Sequence, residues 1–355
     1  MAKANCKTGG FRGLVGFMGF CFALQGFLFL LSCKTIEAPS GTTGEVSPEK
    51  ESSGTLLVRS EDLVVYRLEN DDGPEILAER FLGDPGKSWV VEEANNGAIF
   101  GKGQVVVIPL KEENKGGLYS DGYQLVPVLC YHRFSQKCVS ALCTSARLFE
   151  QQMKYLGDNG YRVVTMEELM AFLMYRRALP KRSVVLTIDG GYRSAYEIAY
   201  PILKTYGFKA TFFIYPDFVE TSRNAVTWNQ LREMKQDGFE IGSQTLSHCD
   251  LTKKIEGEDS RAYEIRIKRE IVGSKETIDK MLGQDTVFLA YPFGAYDPVV
   301  LNICDLAGYR LGMTMKRGGN PFFADPLALR RNQILKKDMK HFVESLDDFH
   351  SFSLR

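Results

Sequence analysis

Four segments of the chain end an apolar, strand-like run on residues able to do chemistry. Residues 127–130 (PVLC) lead into Tyr131-His132-Arg133-Phe134, and residues 184–188 (VVLTI) lead into Asp189-Gly190-Gly191-Tyr192. Residues 239–242 (FEIG) lead into Ser243-Gln244-Thr245-Leu246-Ser247-His248, and residues 288–290 (FLA) lead into Tyr291-Pro292-Phe293-Gly294. One carboxylate (Asp189) and two imidazoles (His132, His248) are the side chains of general acid–base work and of metal ligation. Each has an ordinary use when taken alone. An aspartate before two glycines is a natural turn residue, and a single histidine is more often a hydrogen-bonded packing residue than a ligand. Their joint occurrence at four strand ends is what points to a site. The chain has four histidines, His132, His248, His341 and His350. Any metal site must draw on these and on carboxylates, and His341 and His350, in a charged C-terminal stretch, are given no role.

The elements that must position these residues alternate. Strand patterns cover 127–131, 184–188, 210–214, 239–241, 287–291 and 311–315. Helical patterns lie between and around them at 146–158, 166–175, 195–206, 229–237, 263–281 and 298–307. Alternating βα units of this length predict a parallel sheet closed, or nearly closed, into a barrel, with chemistry where strands end and loops begin.

The four segments, in this order, resemble the polysaccharide deacetylase family, also called the nodulation-factor deacetylase homology domain. They most resemble its poly-N-acetylglucosamine deacetylase branch. The resemblance runs from about residue 126 to 334 and includes FEQQMKYLGDNGYRVVTMEEL, KATFFI, VTWNQLREMKQDGFEIGS and GYRLGMT. It implies an α/β fold, a distorted (β/α) barrel with an open groove, and hydrolysis of the N-acetyl amide of an amino-sugar glycan with a divalent metal, zinc or similar. A bound metal would polarise the carbonyl and acidify its water while a carboxylate takes the proton. By position Asp189 matches the family's base and His132 its acid. His248 matches one metal-binding histidine. Gly190 stands where the metal-binding aspartate belongs, and Gln244 where the other histidine belongs. Tyr131, Tyr192, Tyr291, Pro292 and Phe293 are expected to shape the substrate groove. A catalytic zinc normally needs three protein ligands, so two absent ligands leave two expectations open. One is a deacetylase-like enzyme with a degraded metal site, and the other is an inactive glycan-binding protein.

The N-terminus has its own signals. Lys3, Lys7 and Arg12 precede an apolar run from about Leu14 to Leu31, the pattern of a secretory signal over residues 1–32. Leu30-Leu31-Ser32-Cys33 resembles the lipobox of bacterial lipoproteins, which implies cleavage before Cys33 and its lipidation. An uncleaved membrane anchor is the alternative, and either places the rest of the chain outside the cytoplasm. Lys34 favours the outer membrane. Residues 33–54, rich in Ser, Thr, Gly, Pro and Glu, read as a flexible tether. Residues 55–111 read as a βααβ unit, with a strand at 63–68, helical spacing through Ile76, Leu77, Ala78, Phe81 and Leu82, a second helix at 89–94 and a strand at 104–109. That order resembles the lysin-motif module of peptidoglycan and chitin binders. Residues 112–122 read as a linker to a main domain at 123–345.

Composition narrows the partners. Forty-four basic residues balance forty-four acidic ones, which argues against nucleic acid; the deacetylase and lysin-motif resemblances imply polysaccharide or peptidoglycan as partner, and the lipobox resemblance implies a membrane reached through a lipid anchor. Five cysteines follow Cys33, and Cys138 and Cys143 are close enough in sequence to bridge in an oxidising compartment.

Overall fold

Short apolar strands buried on both faces build the sheet that carries the site. The computed structural model describes residues 54–352, apart from 71, 97–99, 112–113 and 336–337. The apolar run at 14–31, Cys33 and residues 34–53 lie outside the described residues. Among the described residues no helix is long and apolar enough to cross a membrane.

The N-terminal part has strands β1 (Gly54–Arg59), β2 (Leu63–Leu68) and β3 (Val105–Pro109), with helices α1 (Pro74–Leu82) and α2 (Ser88–Ala94) between β2 and β3. The three strands are antiparallel in the order β1-β2-β3. Val64, Tyr66, Leu68, Leu77, Val91, Val106 and Ile108 form their own small core. Strand β1 was not anticipated, because its apolar stretch is short and adjoins the tether composition. It exists by pairing with β2, through an irregularity between Leu56 and Val58. Asn95 is a structural fastener here: its amide donates to the carbonyls of Val91 and Val107 and accepts from Val107 N–H, tying α2 to β3.

The main sheet contains β4 (Val126–Tyr131), β5 (Ser183–Asp189), β6 (Thr211–Ile214), β7 (Glu240–Ser243), β8 (Phe288–Ala290) and β9 (Leu311–Met313), each parallel to its neighbour in that order. Helices α3 (Ala146–Asp158), α4 (Met166–Leu173), α5 (Tyr200–Thr205), α6 (Trp228–Gln236), α7 (Ser260–Leu282) and α8 (Pro298–Leu306) alternate with these strands. Side-chain caps start most of them. Thr165 and Thr227 make capping boxes for α4 and α6, and Ser145, Asp259 and Asp297 cap α3, α7 and α8.

The sheet curls into a distorted barrel through a segment that the hydropathy pattern does not reveal. Leu329 bridges to Met313 of β9, and β10 (Asn332–Gln333) pairs in parallel with Leu129 and Cys130 of β4. Residues 329–333 therefore join the two ends of the sheet.

Strand alternation sorts the residues into two layers. Leu129, Tyr131, Leu186, Ile188, Phe212, Ile214 and Ile241 face outward into a core shared with helices. Val128, Val185, Phe213, Ala290, Leu311, Met313 and Leu329 face inward as the barrel floor. The inward parity carries onward to Cys130 and His132, Thr187 and Asp189, and Gln244.

Candidate functional site

Asp189 ends β5 on the inward side, fully buried. Three N–H groups close on its carboxylate. Arg331 Nη1 donates to Oδ1 at 2.7 Å, Arg331 Nη2 to Oδ2 at 2.9 Å, and Gln244 Nε2 to Oδ2 at 3.0 Å. Arg331 is itself fully buried in the closing segment, donating from Nε to Thr314 O at 3.0 Å and lying over the Phe213 ring. Burial would weaken its hold on the proton, but Asp189 beside it keeps the guanidinium above its ordinary range. The planar fork matches a carboxylate in two parallel bonds, so the pair is fixed in orientation as well as charge.

His132 lies just past β4 on the same face. Its ring, the Cys130 sulfur and an Asp189 oxygen offer ligand-type atoms within 4.8 Å of one another. Burial lowers the proton affinity of His132, and this outweighs the nearby Asp189 charge. Burial also pushes the Cys130 thiol well up, which keeps it protonated. His248 is again lowered by burial, with Asp189 opposing. Its loop is built under backbone strain: Thr245 and His248 have φ of 62° and 63°. Glu270, buried on α7, holds that loop by accepting from the Ser247 N–H and hydroxyl at 2.9 and 2.8 Å.

The lowered histidines set a pH dependence. Below pH 6.5, the ordinary histidine value, the unfolded chain takes up protons that the folded chain resists. Stability is therefore lost as pH falls through 6.5 toward the folded-state values, by no more than about 1.4 kcal/mol per pH unit for each histidine. Urea unfolding between pH 7.5 and 5.5 should show this decline, and His132→Asn should flatten it. An unchanged slope in that variant would remove His132 from the account.

Three of the five expected groove residues, Tyr131, Tyr291 and Pro292, are buried instead. Tyr131 is 1 % exposed, packs on Phe134 and Phe149, and donates to Gln152 Oε1 at 2.9 Å. Tyr291 is fully buried and donates to Leu327 O at 2.8 Å, in space left by Gly312, where a Cβ would lie 2.4 Å from the tyrosine oxygen. Both sit one residue out of phase with the inward set, so the pleat turns them to the helix side. Pro292 is buried. Tyr192 is half-buried, and Phe293 is 66 % exposed with φ 59°. These last two belong to a row of partly exposed rings past the strand ends. Tyr192 and Phe218 are 5.4 Å apart, Phe218 and Tyr215 5.2 Å, Tyr215 and His248 5.1 Å, and His248 and Phe293 5.1 Å.

Gly190 has φ 101°, and a Cβ there would fall 2.5 Å from Tyr192 Cε2. The functional residue that sequence reasoning missed is Arg331. An arginine within LRRNQ, after a loop and outside any long apolar run, carries no periodic signal.

Known proteins agree with this architecture. The family model described as Polysaccharide deacetylase matches residues 176–312. A Bacillus subtilis (strain 168) protein whose name assigns it to the polysaccharide deacetylases, YxkH, is 33% identical over 193 residues, covering 54% of this chain and 65% of that protein. A Staphylococcus aureus (strain MRSA252) poly-beta-1,6-N-acetyl-D-glucosamine N-deacetylase is 28% identical over 227 residues, covering 62% of this chain and 77% of that one. The Streptococcus pyogenes deacetylase PplD, solved with acetate, superposes with a TM-score of 0.58 at 30% identity, covering 64% of this chain and 99% of the other. With the barrel, its closing segment and the strand-end residues in place, the chain belongs to the polysaccharide deacetylase family.

Proposed function

We propose that this chain holds an amino-sugar polysaccharide of the bacterial cell envelope along its row of aromatic rings and does not cut it by metal-assisted hydrolysis. The observation that carries this reading is the buried guanidinium bound to Asp189. A general base must take up the proton of the water it activates. Here both oxygens accept from Arg331 and Oδ2 also accepts from Gln244, so three of the carboxylate's roughly four acceptor sites are taken and the one left, on Oδ1, lies beside a fixed positive charge. Protonating that carboxylate would strand Arg331 as a buried, unpaired cation.

The donor set fits a divalent metal poorly. Gly190 supplies no ligand atom. Gln244 turns its nitrogen to Asp189, leaving a neutral oxygen as its only donor to a metal. A metal bound to Asp189 would sit beside the Arg331 charge. No step through a metal follows from these residues. Half-exposed aromatic rings offer the apolar faces of pyranose rings broad, rigid contact. The N-terminal β2-α1-α2-β3 unit, read as a lysin-like module, supplies a second hold on the glycan. Cys33, read as the lipidation site, keeps both at the envelope surface.

The test is binding and turnover of an N-acetylglucosamine hexamer by the full chain, with metal content measured alongside. The expected result is calorimetric binding, no acetate release and no release on adding Zn²⁺. Phe293→Ala should weaken binding about 5- to 10-fold, the scale of one lost ring contact. Its melting temperature should not change, because the ring is 66 % exposed. Zinc-stimulated acetate release that vanishes in Asp189→Asn would establish hydrolysis in place of this reading.

A further inference from the structure

One end of the aromatic row opens into a pocket of a different character. The cavity, about 350 Å³, is lined by Arg133, Lys137, Arg193 and Arg223 with a single carboxylate, Glu197, and it shares Tyr192 with the row. Four cations face one acid. Glu197 lies 3.5 Å from Arg193 Nε. Among the described residues Arg133, Lys137 and Arg223 have no carboxylate within ion-pair distance.

These cations come from separate segments that the fold pins together. Arg133 follows β4, and its guanidinium lies 5.3 Å from the Tyr192 ring centroid. Lys137 sits in a loop stapled by the Cys138–Cys143 disulfide. Arg193 follows β5, where Phe134 N–H donates to the Ser194 hydroxyl at 3.1 Å. Arg223 is held close because Arg193 Nη1 donates to its carbonyl at 3.2 Å, while Arg193 N–H donates to Asn224 O at 2.8 Å and Tyr192 bridges to Ala225. Holding like charges in one concavity costs free energy unless an anion occupies it, and a concave basic site concentrates the field on such a ligand.

We propose that this pocket binds an anionic substituent, a carboxylate or a phosphate, carried by the polysaccharide that lies on the adjoining rings. The ligand class is then an acidic amino-sugar glycan in place of a neutral one. This rests on the glycan-holding reading, but the two can fail separately.

The experiment compares three probes on the full chain: a neutral N-acetylglucosamine hexamer, a heparosan hexasaccharide alternating glucuronate with N-acetylglucosamine, and inorganic phosphate. The acidic hexasaccharide should bind about tenfold tighter than the neutral one at low salt. The preference should collapse toward unity at high salt, where the screening length shrinks to roughly 3–5 Å. The double variant Arg133→Gln, Arg223→Gln, at two exposed positions, should lose the preference and keep neutral-hexamer binding. If phosphate displaces the acidic glycan and not the neutral one, the pocket takes phosphate as well. If phosphate does not compete while the preference persists, the pocket is selective for a carboxylate. Equal affinity for the two hexasaccharides, or a preference that survives the double variant, overturns the anion pocket while leaving the glycan reading intact. Binding of the acidic glycan alone would keep the pocket and sink the neutral-hexamer reading. Binding of none of the three would end both.

Discussion

Arg331→Met is expected to lower the unfolding free energy by about 3–5 kcal/mol, the scale for removing one partner of a buried ion pair. Asp189 would then be an anion with no exposed surface, keeping the Gln244 amide and losing both guanidinium bonds. The change also removes the Nε donor to Thr314 O in the segment that joins β9 to β4. Arg331→Lys should recover little, because a point charge cannot reproduce two parallel bonds and the third donor. Replacing both charges, with Asp189→Leu added to Arg331→Met, should recover much of the loss, since no unpaired charge remains. The residual deficit would reflect the stranded Gln244 amide, about 1–3 kcal/mol. Urea denaturation of the parent, the single variants Arg331→Met and Asp189→Leu, and their double gives the cycle. A single variant within 1 kcal/mol of the parent, the scale of an exposed pair, would show that the pair is far less buried in solution.

The second large effect is at Gly190. Gly190→Asp would replace the carboxylate that the family places there, and it should destabilise the chain by about 2–4 kcal/mol. Two costs combine. The backbone is held at φ 101°, where a residue with a Cβ is strained, and that Cβ would overlap the Tyr192 ring at 2.5 Å. Tyr192 cannot yield freely, because Phe218 packs against one part of it and Arg133 lies over its face. Adding Tyr192→Ala should therefore restore the steric part of the loss and leave the backbone part. Thermal melts of the single and double variants separate the two contributions. A single variant as stable as the parent would mean that the β5 loop rearranges freely, and the closed description of the site would fall with it.

Much of the main domain was legible because its elements are local. Helices such as Ala146–Asp158 follow from apolar spacing and a serine cap, and β5 from the strand-forming run VVLTI that Gly190 and Gly191 follow. Asp189 and His132 were legible because each closes such a run, and His248 because it follows β7 within one short loop. The groove was read less well. The family resemblance puts Tyr131 and Tyr291 at the groove by motif position, whereas the pleat assigns a side by parity and turns both to the helix side. Lys137, Arg193 and Arg223 are scattered through loops and carry no common spacing. Only chain tracing brings them around one cavity.

The sequence by itself determined the βα alternation and the family motifs, and it set the expectation that Gly190 and Gln244 stand where ligands would. These are properties of residue identity and near-neighbour order. Only the tertiary structure decided what Asp189 does with its charge. Its partner is 142 residues away in the chain, on a short segment that gains its strand geometry by pairing with β4. A contact at that separation is set by sheet closure and by the cost of leaving a buried charge unpaired, and neither leaves a periodic trace in the order of the amino acids.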